Sequence, residues 1–266
     1  MSRRGRSSDR SASRRQFLGV SAAVTAAVAG YGLPDASAQG GAPAPTSLPA
    51  FRDLFNGRDL TGWVNVNTAA DTWSVKNGLL ICSGKPIGVM RTDRMYENFV
   101  IYVEWLHLEP GGNSGMFLWS SAVPGAKNRL PNGIEIQMLE LDYVNQGRPG
   151  GNPRPIAYVH GETWGVDDVS AVPDNPSPNK GRSAALENRA LGRGQWNTYL
   201  VIAVDGVIKM SVNGKIVNGL SKSSQKKGYI CMESEGAAIH FRNIKIMELP
   251  PGVTTPEQTA KELPRG

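Results

Sequence analysis

The sequence is poor in the residues that build redox and metal centres. Of its 266 residues, two are cysteine, Cys82 in GLLICSG and Cys231 in GYICMES, and three are histidine. No CxxC, HExxH or phosphate-loop pattern occurs, so the common zinc, thioredoxin-like and nucleotide-binding readings have no support. Both cysteines lie in strand-like runs; an oxidising compartment permits a disulfide, and two separate buried thiols fit equally well. Helical periodicity is almost absent. Long apolar runs are missing too: the mildly apolar stretch from Gly19 to Gly30 falls well short of the roughly 20 residues a spanning helix needs. No stable membrane span is expected.

Basic charge is abundant but unevenly placed. The chain carries 29 Lys and Arg against 23 Asp and Glu, and six of the arginines fall in the first fifteen residues. The last two sit in Ser13-Arg14-Arg15-Gln16-Phe17-Leu18, a twin-arginine export pattern, and Ala36-Ser37-Ala38 supplies small residues for a signal peptidase. Residues 1–38 are therefore read as a twin-arginine signal peptide, with export to the periplasm or beyond. Its removal would leave 23 basic and 21 acidic residues. A nucleic-acid-binding reading of the high pI loses its basis, because most of the excess charge leaves with the signal.

Residues 39–50, rich in Gly, Ala and Pro, read as a linker, and residues 250–266 as a loosely held tail. Between them, residues 51–249 read as one domain. Short alternating or apolar runs recur between Gly, Asn and Pro: NFVIYVEWLHL, SGMFLWSS, GIEIQMLEL and WNTYLVIAVDGVIKMSVNGKIV among them. This pattern predicts an all-β antiparallel sandwich. Asp205-Gly206 and Asn213-Gly214 predict two-residue hairpin turns. The stretch 143–195 breaks the spacing with many Pro, Gly and Asn, and is expected to be one long loop insertion forming a lid or wall of a site.

The segment NGIEIQMLELD, 132–142, carries the strongest chemical signal. A two-residue period puts Ile134, Ile136 and Met138 on a core face, with Glu135 and Gln137 opposite. Glu104 is another acid among Val, Tyr and Trp, and Asn113 precedes the next strand. If these strands are neighbours, Glu104, Asn113, Glu135 and Gln137 share a face. A bulge near Met138 would return Glu140 to that face. The resulting E-x-Q-x-x-E is similar to the E-x-D-x-x-E strand of family-16 glycoside hydrolases, with Gln137 in place of the central acid.

A fuller resemblance emerges from motifs taken in order: Leu54-Phe55-Asn56-Gly57 with Leu60-Thr61-Gly62-Trp63, Tyr96-Glu97-Asn98-Phe99, Gly112-Asn113-Ser114-Gly115-Met116-Phe117, Gly133-Ile134-Glu135-Ile136-Gln137, Trp196-Asn197, Val212-Asn213-Gly214 and Phe241-Arg242-Asn243-Ile244. Across 51–249 the chain resembles the 3-keto-disaccharide hydrolase family. The resemblance implies a concanavalin/glucanase-like jelly roll, action on glycosides oxidised at carbon 3, and a site containing Asn113, Glu135 and Gln137. Leu106 and Trp119 stand where a basic residue is common in that family.

A ketone at carbon 3 acidifies the hydrogen on carbon 2, so a base can remove it, the group on carbon 1 can leave, and water can add. Such a route needs a general base, donors or a metal at the enolate oxygen, and an acid for the leaving group. Glu135 is expected as base or metal ligand, with His160 and Glu235 as further acid/base residues. Asn113, Gln137, Glu104, Trp119 and Trp164 are expected to contact substrate. Ca, Mn or Zn would suit the carboxylate, imidazole and amide groups, and no ligand spacing selects one. A sugar 3-dehydrogenase would have to supply the keto sugar. His107 and His240 read as structural, Trp196 as a core residue, and Arg242 as pairing with an acid across its sheet. A carbohydrate-binding module and a family-16-like retaining glycosidase are the competing readings.

Overall fold

In a computed structural model of the chain, the residues described are 50–125, 128–146 and 161–249. They form strands β1 (Arg52–Asp53), β2 (Trp63–Val66), β3 (Trp73–Lys76), β4 (Leu79–Cys82), β5 (Gly88–Thr92), β6 (Phe99–His107), β7 (Gly115–Ser120) and β8 (Gly133–Gln137). After them come β9 (Thr163–Val166), β10 (Val172–Pro173), β11 (Arg182–Ser183), β12 (Asn197–Val204), β13 (Val207–Val212), β14 (Lys215–Ser221), β15 (Tyr229–Ser234) and β16 (Ile239–Glu248). One 3-10 turn, Leu141–Asn145, is the single helical element among the described residues.

The strands make two antiparallel sheets, as the sequence pattern predicts. The larger runs β10-β14-β13-β12-β6-β16-β4-β3, with β1 also paired to β16; the smaller runs β11-β9-β8-β7-β15-β5-β2. β12 shows the expected half-buried alternation: Asn197, Tyr199, Val201 and Ala203 are buried, and the residues between them are partly exposed. Asp205-Gly206 and Asn213-Gly214 both have φ positive at each position, the geometry that two-residue hairpins need to match strand twist.

The main core lies between the sheets. Phe99, Ile101, Trp105, Tyr199 and Phe241 face Met116, Leu118, Ile134, Ile136 and Met232 across it. In contrast to β12, β7 and β8 are buried at every position, so both faces of the smaller sheet are covered. A second apolar cluster of Val89, Phe117, Val166, Tyr229 and Cys231, with Trp164 and Leu130 against it, covers the far face.

Several expectations need correction. The insertion is not one long loop: within it, β9 and β11 extend the smaller sheet and β10 adds to the larger. No bulge forms near Met138. Beyond β8 the pairing stays in step, with Met138 N–H donating to Ser114 O and Glu140 N–H to Gly112 O, so Leu139 follows Glu135 and Gln137 and Glu140 does not. Glu140 instead caps the 3-10 turn, accepting from the backbone N–H groups of Gly111 (2.6 Å), Asp142 (2.8 Å) and Arg193 (3.1 Å). Trp119 is a core residue: fully buried, edge-on to Phe99, its indole N–H donates to Glu97 O at 2.7 Å.

Trp196 is half-buried under the Arg242 guanidinium, 3.9 Å from its ring centroid, rather than in the core. The two cysteines are free, Cys82 in the main core and Cys231 in the cluster on the far side of the smaller sheet.

Candidate active site

The site lies on the outer face of the smaller sheet. Its floor is a row of cross-strand neighbours: Arg182 on β11 pairs with Trp164 on β9, Trp164 with Glu135 on β8, and Glu135 with Phe117 on β7. One step along, Gln137 pairs with Gly115. Paired residues project to the same side of a sheet, so the two-residue period of β8 delivers Glu135 and Gln137 to this face together. Above them is a cleft of about 260 Å³ lined by Asn113, Glu135, Gln137, Glu235 and Arg182, with Trp164, Tyr143, Leu130, Leu139 and Val166 as its apolar wall.

A relay of amide hydrogen bonds crosses the floor. Gln137 Nε2 donates to Asn113 Oδ1 at 2.8 Å, and Asn113 Nδ2 donates to Glu235 Oε2. Gln137 Oε1 is buried and accepts no hydrogen bond from the described residues. Tyr199 O–H donates to the Gln137 carbonyl from the core side at 2.7 Å, fixing the strand that carries both polar residues.

Glu233, on β15, is fully buried, and neither of its carboxylate oxygens has a hydrogen-bond partner among the described residues. Gly115 separates it from Glu135: a Cβ there would stand 2.8 Å from Glu135 Oε1 and 2.9 Å from Glu233 Oε2. A side chain at this position would have to push one or both carboxyls aside. Burial pushes the Glu233 carboxyl well above the usual range, and the neighbouring Glu135 and Glu235 push it further. Burial does the same to Glu135, reinforced by Glu235 and opposed by Arg182. Glu235 is raised by burial, against the Asn113 hydrogen bond and Arg182.

Arg182 is held from behind. Its Nη1 lies 2.9 Å from Oε2 of Glu162, a fully buried acid whose other oxygen accepts from Ser177 Oγ at 2.6 Å. Its guanidinium carbon sits 3.5 Å from the centroid of the Trp164 ring.

The structure thus brings together Asn113, Glu135, Gln137, Trp164 and Glu235. It does not bring Glu104 or Trp119 to the cleft. Glu104 lies on β6 of the larger sheet, where it accepts from Arg242 Nε (2.6 Å), Asn243 (2.8 Å) and Tyr102 (3.0 Å). This is the cross-sheet pairing expected of Arg242. His107, as expected, is structural: it is buried with Nε2 2.8 Å from the Met138 carbonyl. His160 lies outside the described residues.

Sequence reasoning did not single out Arg182 or Glu162, which sit where no periodicity exists to read. It chose Glu235 and passed over Glu233, although alternation along YICMES places Glu233 beside Cys231, off the core face. Among the described residues, no group of three His, Cys, Asp or Glu side chains is arranged to hold a metal ion.

Fold and site together define a carbohydrate-active-enzyme-like β-sandwich domain. Residues 50–247 match the family described as the 3-keto-alpha-glucoside-1,2-lyase-like domain, and the chain belongs to that family. No curated protein matches the chain. Similar solved structures include two candidate glycosyl hydrolases of Parabacteroides distasonis ATCC 8503. One is 21% identical, with a TM-score of 0.61 over 75% of this chain and 94% of that one. The other is 22% identical, with a TM-score of 0.54 over 75% and 100%. At these identities the likeness is one of fold.

Proposed function

We propose that the protein is an exported enzyme that cleaves 3-keto-glycosides by elimination and hydration. The observation that carries this reading is Glu135: a buried carboxylate on the cleft floor whose surroundings raise its proton affinity, which makes it a stronger base once ionised. Glu135 takes the proton from carbon 2, and the electron pair of that C–H bond moves toward the carbonyl as an enolate. The enolate collapses, the bond from carbon 1 to the glycosidic oxygen breaks, and Glu235 protonates the departing oxygen. Water then adds at carbon 1 of the enone and a proton returns to carbon 2, so the net reaction is hydrolysis. Asn113 and Gln137 hold sugar hydroxyls, and the Trp164 wall packs the ring.

A conventional retaining glycosidase using Glu135 and Glu140 fits less well, because Glu140 is committed to three backbone N–H groups. Support for export comes from the twin-arginine pattern and the small residues that follow it.

The test is turnover of a 3-keto-glucoside and of its unoxidised parent by the purified protein, with and without chelator. Cleavage of the keto sugar alone is the expected result, and chelator sensitivity would assign a divalent ion such as Ca, Mn or Zn. Cleavage of the parent would point to a glycosidase, and binding without turnover to a carbohydrate-binding module. A sugar 3-dehydrogenase is the expected source of the substrate.

A further inference from the structure

Among the described residues that line the cleft, Arg182 alone is cationic. It is supplied by the insertion rather than by the core strands, and three features prepare it for a fixed position. Its strand β11 pairs with β9, which pairs with β8, so the backbone places it two strands from Glu135 on the same face. Its guanidinium carbon lies over the Trp164 ring. Its Nη1 is tied to Glu162, which is itself buried and further bonded by Ser177 and Asn179. The side chain still keeps 29% of its surface exposed.

Such a layout suits an oxyanion better than a neutral hydroxyl. A guanidinium offers fixed, planar donors and is always charged, and a charge already oriented at a poorly solvated site costs no reorganisation when negative charge develops opposite it.

Resting on the 3-keto-glycoside reading above, we propose that Arg182 is a catalytic residue that receives the developing negative charge on the carbonyl oxygen at carbon 3 while Glu135 removes the proton from carbon 2. In that step the C2–H bond breaks, the proton goes to the Glu135 carboxylate, a double bond forms between carbons 2 and 3, and the oxygen on carbon 3 becomes an oxyanion facing the guanidinium. Glu162 and Trp164 are positioning residues for it.

The experiment follows exchange of the carbon-2 hydrogen for deuterium in a 3-keto-glucoside, in D₂O, by wild type, R182M and R182K. Exchange reads proton removal without requiring departure of the leaving group. R182M is expected to lower the exchange rate at saturating sugar by about 10²–10³-fold, with a much smaller change in KM and partial rescue by added guanidinium ion. R182K, which keeps the charge but not the planar fork, should fall between the two and decides the matter if R182M fails to fold. Exchange in either folded variant within about threefold of wild type would overturn the proposal, as would loss confined to KM. Neither exchange nor cleavage of the 3-keto-glucoside by wild type would instead remove the 3-keto reading itself, so the two failures are distinguishable.

Discussion

Glu104 and Glu135 look alike in the sequence, each an acid set into an apolar strand, and the fold treats them oppositely. Glu104, on the larger sheet, is surrounded by donors; burial would raise its carboxyl, but Asn243, Arg242 and Tyr102 together hold it below the usual range. Glu135 and its neighbour Glu233, on the smaller sheet, are buried with few donors or none, and both are pushed well above it. Desolvation acts on all three acids, and the supply of donors decides the sign. A carboxylate satisfied by its neighbours is a structural anchor. One left without partners destabilises the fold and persists where a reactive group is needed.

The sharpest way to break this contrast is to remove each acid in turn. Glu135→Gln should reduce keto-sugar turnover by about 10²–10⁴-fold, measured as steady-state kcat, while Glu104→Gln should leave it nearly unchanged. Equal losses in the two variants would erase the distinction.

Glu140 extends the comparison to a fourth acid, satisfied wholly by backbone. Glu140→Ala strips three N–H groups of their acceptor and should lower unfolding free energy by about 1–3 kcal/mol in urea titration. It should also disturb the cleft wall at Leu139 and Tyr143.

Glu233→Gln should act in the opposite direction. The folded-state carboxyl is raised, so the unfolded chain ionises first as pH rises past the ordinary carboxylate value of 4.5. Stability is whole below that pH and declines until the folded value is reached, by about 1.4 kcal/mol for each pH unit of the interval. Glutamine removes this dependence, so the variant should melt higher than wild type at pH 7 and similarly at pH 4. An unchanged melting temperature at pH 7 would mean that Glu233 is solvated or paired.

The smallest effect belongs to the other side of the contrast. Glu104→Gln should cost about 0.5–1 kcal/mol, since its Arg242 partner is 40% exposed. Because the Glu104 carboxyl is lowered, that contribution is present above pH 4.5 and fades as pH falls through the folded value.

Much of this was legible residue by residue. The hairpins at Asp205-Gly206 and Asn213-Gly214 follow from the need for positive φ at both turn positions. The facing of Glu135 and Gln137 follows from the strand period, and the motif Gly112–Phe117 placed Asn113 beside them. Glu104 was misassigned for a simple reason. Alternation says that a residue points away from the core, but a sandwich has two outer faces, and strand pairing decides which one. Trp119 failed for a related reason: an aromatic at a strand position reads the same whether it meets a ligand or the opposite sheet. Glu140 was placed in the cleft by a bulge that the continuing register with Gly112 and Ser114 makes unnecessary.

By itself the sequence determined the class of fold, the strand that carries Glu135 and Gln137, and the family, because these depend on local periodicity, turn chemistry and ordered motifs. Only the tertiary structure decided that β11 of the insertion joins the smaller sheet to bring Arg182 above Trp164, and that Gly115 lets Glu135 and Glu233 stand on either side of it. Those facts depend on non-local pairing and on which buried groups find hydrogen-bond partners, and neither quantity is carried by any short stretch of chain.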